Sequence, residues 1–221
     1  MQHIRTFLIS AALIAAAGAH ASPVLDQSFL PGPLEFDARV GVVPLFPLEA
    51  RPYQSFTVGA SGLLSGVDVF VESRGNTTEA LTLDIISTAN PFGPVFASQT
   101  VMASGIPADP SFLSFDLSAS NLTVTLGDQL SWRLRSAQDF SGNVNEYITF
   151  ANMGGGYAAG EGQHWISLFG FQNDGVDFYF RTFVDSPSGQ VPEPSSILLT
   201  LAALGGVCVA RRRATGMKLP F

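Results

Sequence analysis

The sequence predicts an all-β domain, a jelly-roll-like antiparallel β-sandwich, from a two-residue hydrophobic alternation, closely spaced turn residues and the near absence of helical periodicity. Alternation of apolar and polar residues is typical of half-buried strands. It is clearest at 67–71, 81–85, 113–117, 122–126, 130–134 and 178–180. Gly, Asn, Asp and Pro separate these segments at intervals of about ten residues, which favours a sandwich of about eight to ten strands.

The first residues of the chain read as a signal peptide. Arg5 precedes an apolar stretch at 7–17, and the small residues Ala19 and Ala21 stand at the two positions that signal peptidase reads. We expect cleavage after Ala21, so that the mature protein begins at residue 22.

The remaining chain divides into a body and a tail. Six prolines between 22 and 52 indicate a lead-in segment that forms an edge or wraps the domain, because proline lacks the N–H that a central strand needs. We expect the following boundaries: signal peptide 1–21, Pro-rich lead-in 22–52, β-sandwich 53–185, linker 186–194, transmembrane helix 195–210 and cytoplasmic basic tail 211–221.

The tail has three consecutive parts. Pro192, Glu193 and Pro194 precede an uncharged apolar run at 195–210, and Arg211, Arg212 and Arg213 follow it. Sixteen helical residues span about 24 Å, a little less than the ~30 Å hydrocarbon core of a bilayer. Because arginines remain on the cytoplasmic side, the body is expected outside the cytoplasm.

This order of parts resembles the PEP-CTERM sorting signal of exported bacterial proteins. The resemblance covers 191–213 and implies that exosortase, a membrane-embedded cysteine transpeptidase, recognises the motif, cleaves there and passes the protein to the cell surface. It also implies an association with exopolysaccharide or biofilm. The eight residues after Arg213 depart from the family, whose members usually end within a few residues of the arginines.

Charge and cysteine content exclude several functions. The body between 22 and 190 holds 17 of the 18 acidic residues, only six of the 11 basic ones and no lysine, which leaves it with a net charge of about −11. Such a surface repels phosphate backbones, so we expect no binding of nucleic acid. The only cysteine, Cys208, lies in the apolar run, so the body has neither a disulfide nor a thiol nucleophile.

The body also resembles secreted jelly-roll modules related to galactose-binding-like and carbohydrate-binding domains. The resemblance spans about 28–185 and depends on 54–58, 81–83, 127–132, the glycine-rich loop that ends at Tyr157, and 176–183. Sugar binding uses aromatic faces beside polar acceptors, and Tyr147, Tyr157 and Trp165 are the candidate glycan contacts. Tyr157 is expected at the tip of a long flexible loop, and a core position competes with glycan contact for Trp165. Trp132 is not a glycan candidate, because it shares the apolar face of Leu130 and Leu134 and is expected in the core.

A calcium site is a second candidate feature of the body. Asn173, Asp174 and Asp177 offer oxygen ligands of the kind that Ca²⁺ prefers. Their spacing does not match an EF-hand, and Asx-rich turns are ordinary turn chemistry. Calcium is the only cofactor under consideration.

The sequence shows no recognisable arrangement of catalytic residues. His164 is the one histidine of the body, and a strand-face structural role competes with a catalytic one. Glycoside hydrolases use two carboxyl groups about 5 to 10 Å apart. Seventeen acidic residues in a sandwich of this size will place some pair at that distance by chance, so a glycan-active hydrolase is the weakest alternative. We therefore expect a non-catalytic surface or matrix protein, with a carbohydrate-binding module as the main alternative.

Overall fold

The computed structural model describes residues 22–32, 36–43, 48–88, 92–140, 145–154, 156–167 and 170–185, with the backbone alone at 171–174. The chain divides into two compact units, Met1–Pro187 and Ser188–Phe221, and every described residue lies in the first. The predicted signal peptide, sorting motif, apolar run and arginine cluster lie outside the described residues. None of the helices within the described ranges is long and apolar enough to cross a membrane.

The described residues form thirteen strands and two short 3-10 helices, which confirms the prediction of an all-β domain. The strands are β1 (Val24–Phe29), β2 (Phe36–Val43), β3 (Leu48–Thr57), β4 (Gly62–Arg74), β5 (Leu81–Ser87), β6 (Val95–Val101), β7 (Ser111–Asp116), β8 (Thr123–Val124), β9 (Gln129–Ser136), β10 (Glu146–Met153), β11 (Gly162–Ile166), β12 (Gly170–Phe178) and β13 (Phe180–Asp185). The 3-10 helices are Ala103–Gly105 and Ser118–Ser120.

All pairings between these strands are antiparallel. The main path through the sheet is β1-β13-β4-β10-β12-β11-β3-β9-β5-β6; β2 bridges β10 and β3, while β7 and β8 pair with β4. The count exceeds the predicted eight to ten strands because the Pro-rich lead-in contributes β1, β2 and the first half of β3.

The larger of two apolar clusters lies between strands that are not neighbours in the sheet. The indole of Trp132, on β9, is fully buried, with ring centroids 5.8 Å from Phe178 and 6.3 Å from Phe180. The ring centroid of Phe56, on β3, lies 6.1 Å from that of Phe180. The sheet therefore folds over on itself and its inner faces pack together, and the predicted core role of Trp132 is confirmed.

The expectation that the lead-in lies only at an edge is wrong for β2 and β3. Among the described strands β1 pairs with β13 alone, but β3 has β11 on one side and first β2, then β9 on the other. Successive backbone N–H groups point to opposite sides of a strand. Since Ser55 N donates to Glu161 O at 2.9 Å on the β11 side, the nitrogen of Pro52 faces the other side. There the partner changes from β2 to β9, so this proline removes no bond from either ladder.

A buried polar network holds the glycine-rich loop. Gln54 is fully buried; its Oε1 accepts a bond from Phe178 N at 2.8 Å, and its Nε2 donates to Asp177 Oδ1 at 2.9 Å. Asp177 Oδ2 accepts a bond from Tyr157 N at 3.0 Å. The loop is thereby tied to β3 and β12 through its own backbone.

The ring of Tyr157 also packs inwards, which corrects the expectation of a flexible loop tip. Its centroid lies 5.1 Å from that of Phe180 and 6.3 Å from that of Phe29, and its hydroxyl donates to Gln27 Oε1 at 3.0 Å. Burial, with the nearby Asp26 and Asp177 carboxylates, raises the pKa of Tyr157 to about 12.

Asn173, Asp174 and Gly175 are residue types that favour a turn, but here they form an irregularity within β12. Val176 pairs with Gly162 and Gln172 with His164, so three residues of β12 oppose one of β11. Gly175 adopts a φ of +63°, which glycine accepts without strain. Turn-forming residues here produce a bulge and do not end the strand.

Gly160 gives a direct test of the loop anchor. A Cβ there would lie 1.9 Å from Ser55 O, a backbone atom, whereas a Cβ at Gly66 in β4 would meet nothing nearer than 3.4 Å. We expect Gly160→Ala to lower the free energy of unfolding by about 1–3 kcal/mol, as overpacking does. Gly66→Ala should be neutral or stabilising by up to about 1 kcal/mol. Urea unfolding of both variants measures this, and equal effects would contradict the anchor.

Candidate functional site

A polar surface covers the outer side of β11, β3, β9 and β5, opposite the core. Residues directly across a ladder share a face, and here Tyr53 pairs with both Gln163 and Arg133, while Arg133 also pairs with Asp84. We call this surface the polar face. Its members are Arg51, Tyr53, Thr82, Asp84, Arg133, Arg135, Gln163 and Trp165.

Asp84 is the charged centre of the polar face. Its fully buried carboxylate binds Arg133 Nη2 at 2.7 Å, Arg135 Nε at 2.8 Å and Ser98 Oγ at 2.8 Å. Burial alone raises the pKa of Asp84, but the bonds from Arg135, Arg133 and Ser98 outweigh it and hold the pKa below its ordinary value of 3.8. The carboxylate is therefore ionised at neutral pH and its charge is neutralised locally.

Arg51 brings a second charged pair of the polar face next to aromatic rings. Its Nη2 donates to Glu49 Oε1 at 2.6 Å, and its Cζ lies 5.4 Å from the ring centroid of Trp165, within cation-π range. The Trp165 ring makes an edge contact with Phe92 at 5.2 Å. The buried Nε of Arg51 finds no hydrogen-bond partner among the described residues.

Tyr53 lies on the polar face between Gln163 and Arg133, its partners in the two flanking ladders. It is 6% exposed, and its hydroxyl donates a short hydrogen bond to Gln163 Oε1. Burial, together with the carboxylate of Glu161, raises the pKa of Tyr53 to about 12. The phenol is therefore a neutral donor at physiological pH.

A pocket of about 340 Å³ opens at one end of the polar face. It lies at the point along β3 where the neighbouring strand changes from β2 to β9. Pro52 is accommodated at the same point. Its walls carry two arginines, two glutamates and hydroxyl groups, contributed by Arg51, Arg135, Glu49, Glu79, Thr82 and Ser136. This volume falls within the range of small-molecule sites.

The three predicted glycan contacts do not share one surface. Trp165 lies half-buried on the polar face. Tyr147 is fully buried and its hydroxyl donates to Glu79 O, so its ring is not available for stacking on a sugar, which corrects that prediction. Tyr157 packs on Phe180 in the core and belongs to the loop anchor.

The predicted calcium ligands are only partly described. Asp177 is 4% exposed and both its oxygens accept hydrogen bonds, from Gln54 and from Tyr157 N. The side chains of Asn173 and Asp174 lie outside the described atoms, so the calcium hypothesis stays a prediction. Within the described ranges no group of three or more His, Cys, Asp or Glu residues is arranged to hold a metal ion.

A more acidic pocket of about 510 Å³ lies near β4, β7 and β13. Asp68, Asp116 and Asp185 line it, and Asp68 accepts a bond from Ser114 Oγ at 2.6 Å and pairs with Arg181 Nη1 at 3.8 Å. Bonds from the hydroxyl and backbone N–H of Ser118 lower the pKa of Asp116. The carboxylates of Asp68 and Asp116 are thus held by their own neighbours, whereas the buried Oδ1 of Asp185 finds no hydrogen-bond partner among the described residues.

His164 lies on β11, half-buried, opposite Pro52 and Gln172 in the two flanking ladders. It is the neighbour of Trp165 in sequence but projects to the other side of the strand. The expectation that the protein is not an enzyme stays a prediction.

Sequence reasoning missed the arginines of the polar face. Arg51, Arg133 and Arg135 are three of the six basic residues of the body, and each stands at a polar position of a strand. Their concentration in so acidic a chain was a usable signal, but their common surface depends on pairing β3, β9 and β5, which alternation alone does not specify.

Asp84 makes the polar face sensitive to pH. A carboxyl whose pKa is lowered by folding stabilises the fold fully above its unfolded-state pKa, and this contribution is lost as the pH falls through the folded-state pKa. We expect Asp84→Asn to cost about 1–3 kcal/mol at neutral pH, less than a fully buried pair because solvent screens Arg135. Below about pH 4 the difference from wild type should shrink. Urea unfolding over this pH range measures it, with the exposed Asp109→Asn as the control; superimposable curves for the two variants would contradict the role of Asp84.

Comparison with known proteins adds information about the tail. No curated protein matches the chain. Residues 190–214 match the family described as the PEP-CTERM protein-sorting motif. The matched range contains Pro192, Glu193 and Pro194, the apolar run and the three arginines, so the predicted resemblance is confirmed. The chain thus carries a PEP-CTERM sorting signal, which marks it as an exported protein that exosortase sorts to the cell surface.

Proposed function

We propose that this protein is a non-catalytic component of the cell surface or extracellular matrix, delivered there as a folded β-domain by its PEP-CTERM tail. The observation that carries the proposal is the match of residues 190–214 to the sorting motif, which follows in sequence a body whose described regular structure is almost entirely β-strand. Signal peptidase removes 1–21, and the run at 195–210 anchors the precursor in the membrane until exosortase cleaves. The body associates with exopolysaccharide or biofilm outside the cell.

The electrostatics of the polar face support a role without catalysis. Acid catalysis requires a carboxyl that is protonated near the working pH. Asp84 has the opposite property, since two arginines and Ser98 hold its pKa low and occupy its oxygens. Tyr53, with a pKa of about 12, is equally unsuited to act as a base.

A second candidate function is binding of a neutral glycan at the pocket of the polar face. A saccharide presents many hydroxyl groups, each of which donates and accepts hydrogen bonds. The guanidinium of Arg51 and the carboxylates of Glu49 and Glu79 supply both kinds of partner within one pocket. Trp165 lies next to Arg51, and Phe92 packs against Trp165, so the two rings supply the apolar contact that sugar rings favour.

Charge decides between neutral and acidic glycans. The net charge of about −11 on the body repels a polyanion at long range. Within the pocket, Glu49 and Glu79 oppose an incoming carboxylate, and Asp84 already occupies Arg135. A neutral hexose chain meets neither obstacle.

The sorting function predicts a specific failure. Replacing both Pro192 and Pro194 with Ala removes the motif that exosortase reads, so the full-length precursor should accumulate in the inner membrane and surface display should fall at least about tenfold, a loss of about 1.4 kcal/mol in recognition. Pro187→Ala, just upstream of the matched range, is the matched control. Fractionation of a host that has exosortase measures this, and unchanged display of the double variant would refute the sorting role.

The glycan function predicts loss of binding by either of two variants. In an array of neutral and acidic glycans probed with the detergent-solubilised full chain, Arg51→Ala and Trp165→Ala should each weaken binding of neutral glycans about tenfold or more, as expected for loss of a charged hydrogen bond or an aromatic contact. Arg181→Ala removes the same charge from a different surface and should bind like wild type. Absence of binding to every glycan, or equal binding by all variants, would exclude this function and leave the sorting function unaffected.

A further inference from the structure

Strand β6 forms one end of the sheet, and one of its backbone edges is unpaired in the part of the chain that the structure describes. Within the described residues its only ladder is with β5. An edge strand presents N–H and C=O groups that can pair with another chain. Natural proteins usually block such edges with lysine, proline or inward charges, and the body of this protein has no lysine.

The surroundings of β6 are apolar. Ten large hydrophobic side chains are exposed among the described residues, and three of them, Val95, Phe96 and Met102, lie on this strand or directly after it. Clustered exposure of this kind is typical of an interaction surface, whereas scattered exposure is ordinary.

The same segment is free of charge. No Asp, Glu, Lys or Arg occurs between Asp84 and Asp109, in a body whose net charge is about −11. Two copies of this acidic protein repel one another over most orientations. Contact through β6 brings the uncharged parts together and keeps the carboxylates apart.

The other described strands with a single ladder lack these properties. β7 and the two-residue β8 pair with β4 alone, and β7 carries Asp116 beside the acidic pocket. β1 carries Asp26 at a bulge, between the pairs Leu25↔Phe183 and Gln27↔Thr182. Two β1 edges side by side would bring two Asp26 carboxylates together on a kinked strand. The partner of β6 is therefore best sought in a second β6.

The regular part of this edge runs from Ala97 to Val101. Ile86 pairs with Val95 and Ile85 with Ala97, so Phe96 is a bulged residue and the unbroken ladder with β5 begins at Ala97. We propose that two copies of the chain pair antiparallel through this segment, about a two-fold axis at Gln99. Gln99 then lies opposite Gln99, Ala97 opposite Val101 and Ser98 opposite Thr100, with no charged pair in the ladder.

Such pairing makes one continuous sheet from two domains. The axis is perpendicular to the sheet, so both copies present their polar faces on the same side. Each polar face contains Asp84, which Ser98 of β6 contacts at 2.8 Å. A dimer formed in this way displays two neighbouring pockets to one extended ligand, which raises avidity without any new contact.

Cysteine cross-linking of the full chain tests the pairing. Cys208 is the only cysteine, so Cys208→Ser provides a background without thiols. In that background we expect Gln99→Cys to form a covalent dimer with a short bis-maleimide in intact exporting cells, because residues on the axis lie directly opposite each other. Thr125→Cys, in the exposed loop between β8 and β9, is the matched control and should remain monomeric.

A second measurement does not depend on residue 99. Thr100→Lys places on the exposed edge the residue that natural edges use against pairing. Sedimentation of the detergent-solubilised chain should show a dimer for wild type and for Thr125→Lys, and at least a tenfold larger dissociation constant for Thr100→Lys. The proposal is overturned if Thr125→Cys cross-links as efficiently as Gln99→Cys, if neither cross-links, or if Thr100→Lys and Thr125→Lys dimerise equally.

Discussion

The buried amide of Gln54 determines how the two sides of the domain are aligned. It is fully buried, and it accepts a bond from Phe178 N while donating to Asp177. An amide or carboxylate that loses such a partner in the interior costs several kcal/mol. β3 and β12 therefore have one favourable relative position, and the glycine-rich loop follows because Asp177 also holds Tyr157 N.

This inner constraint also fixes the outer surface. The residues of β3 that flank Gln54 point outwards, so the position of Tyr53, and next to it Arg51, is set by the same register. A shift of one residue would exchange the two faces and bury the arginine. The polar face is thus a consequence of core packing, and its charged groups neutralise one another where the strands bring them together.

The sequence was sufficient for the fold class and for much of the core. Alternation located β5, β7 and β9, and the common face of Leu130, Trp132 and Leu134 correctly placed the indole inside. These features are local, since a half-buried strand must repeat every second residue. The sorting signal of the tail was equally predictable, because its motif, apolar run and arginines are contiguous in the chain.

Features that depend on distant pairing escaped prediction. Pro52 is acceptable within β3 only because the neighbouring strand changes at that point. Tyr147 and Tyr157 are compatible with a loop or a surface until the partners of β10 and the Asp177 carboxylate are known. The contact between Asp84 and Arg133 joins residues 49 positions apart, and no local pattern indicates it.

The pairing of β1 with β13 has a kinetic consequence. Val24 lies opposite Val184, so the first strand of the domain to be synthesised and exported waits for the last strand before it acquires its only described neighbour. Contacts with such a large sequence separation make folding slow. The sheet can close at this end only after nearly the whole body has left the ribosome and crossed the membrane, shortly before the sorting signal itself arrives. The order of the chain therefore makes the last strand pairing of the body and the export of the sorting signal nearly simultaneous.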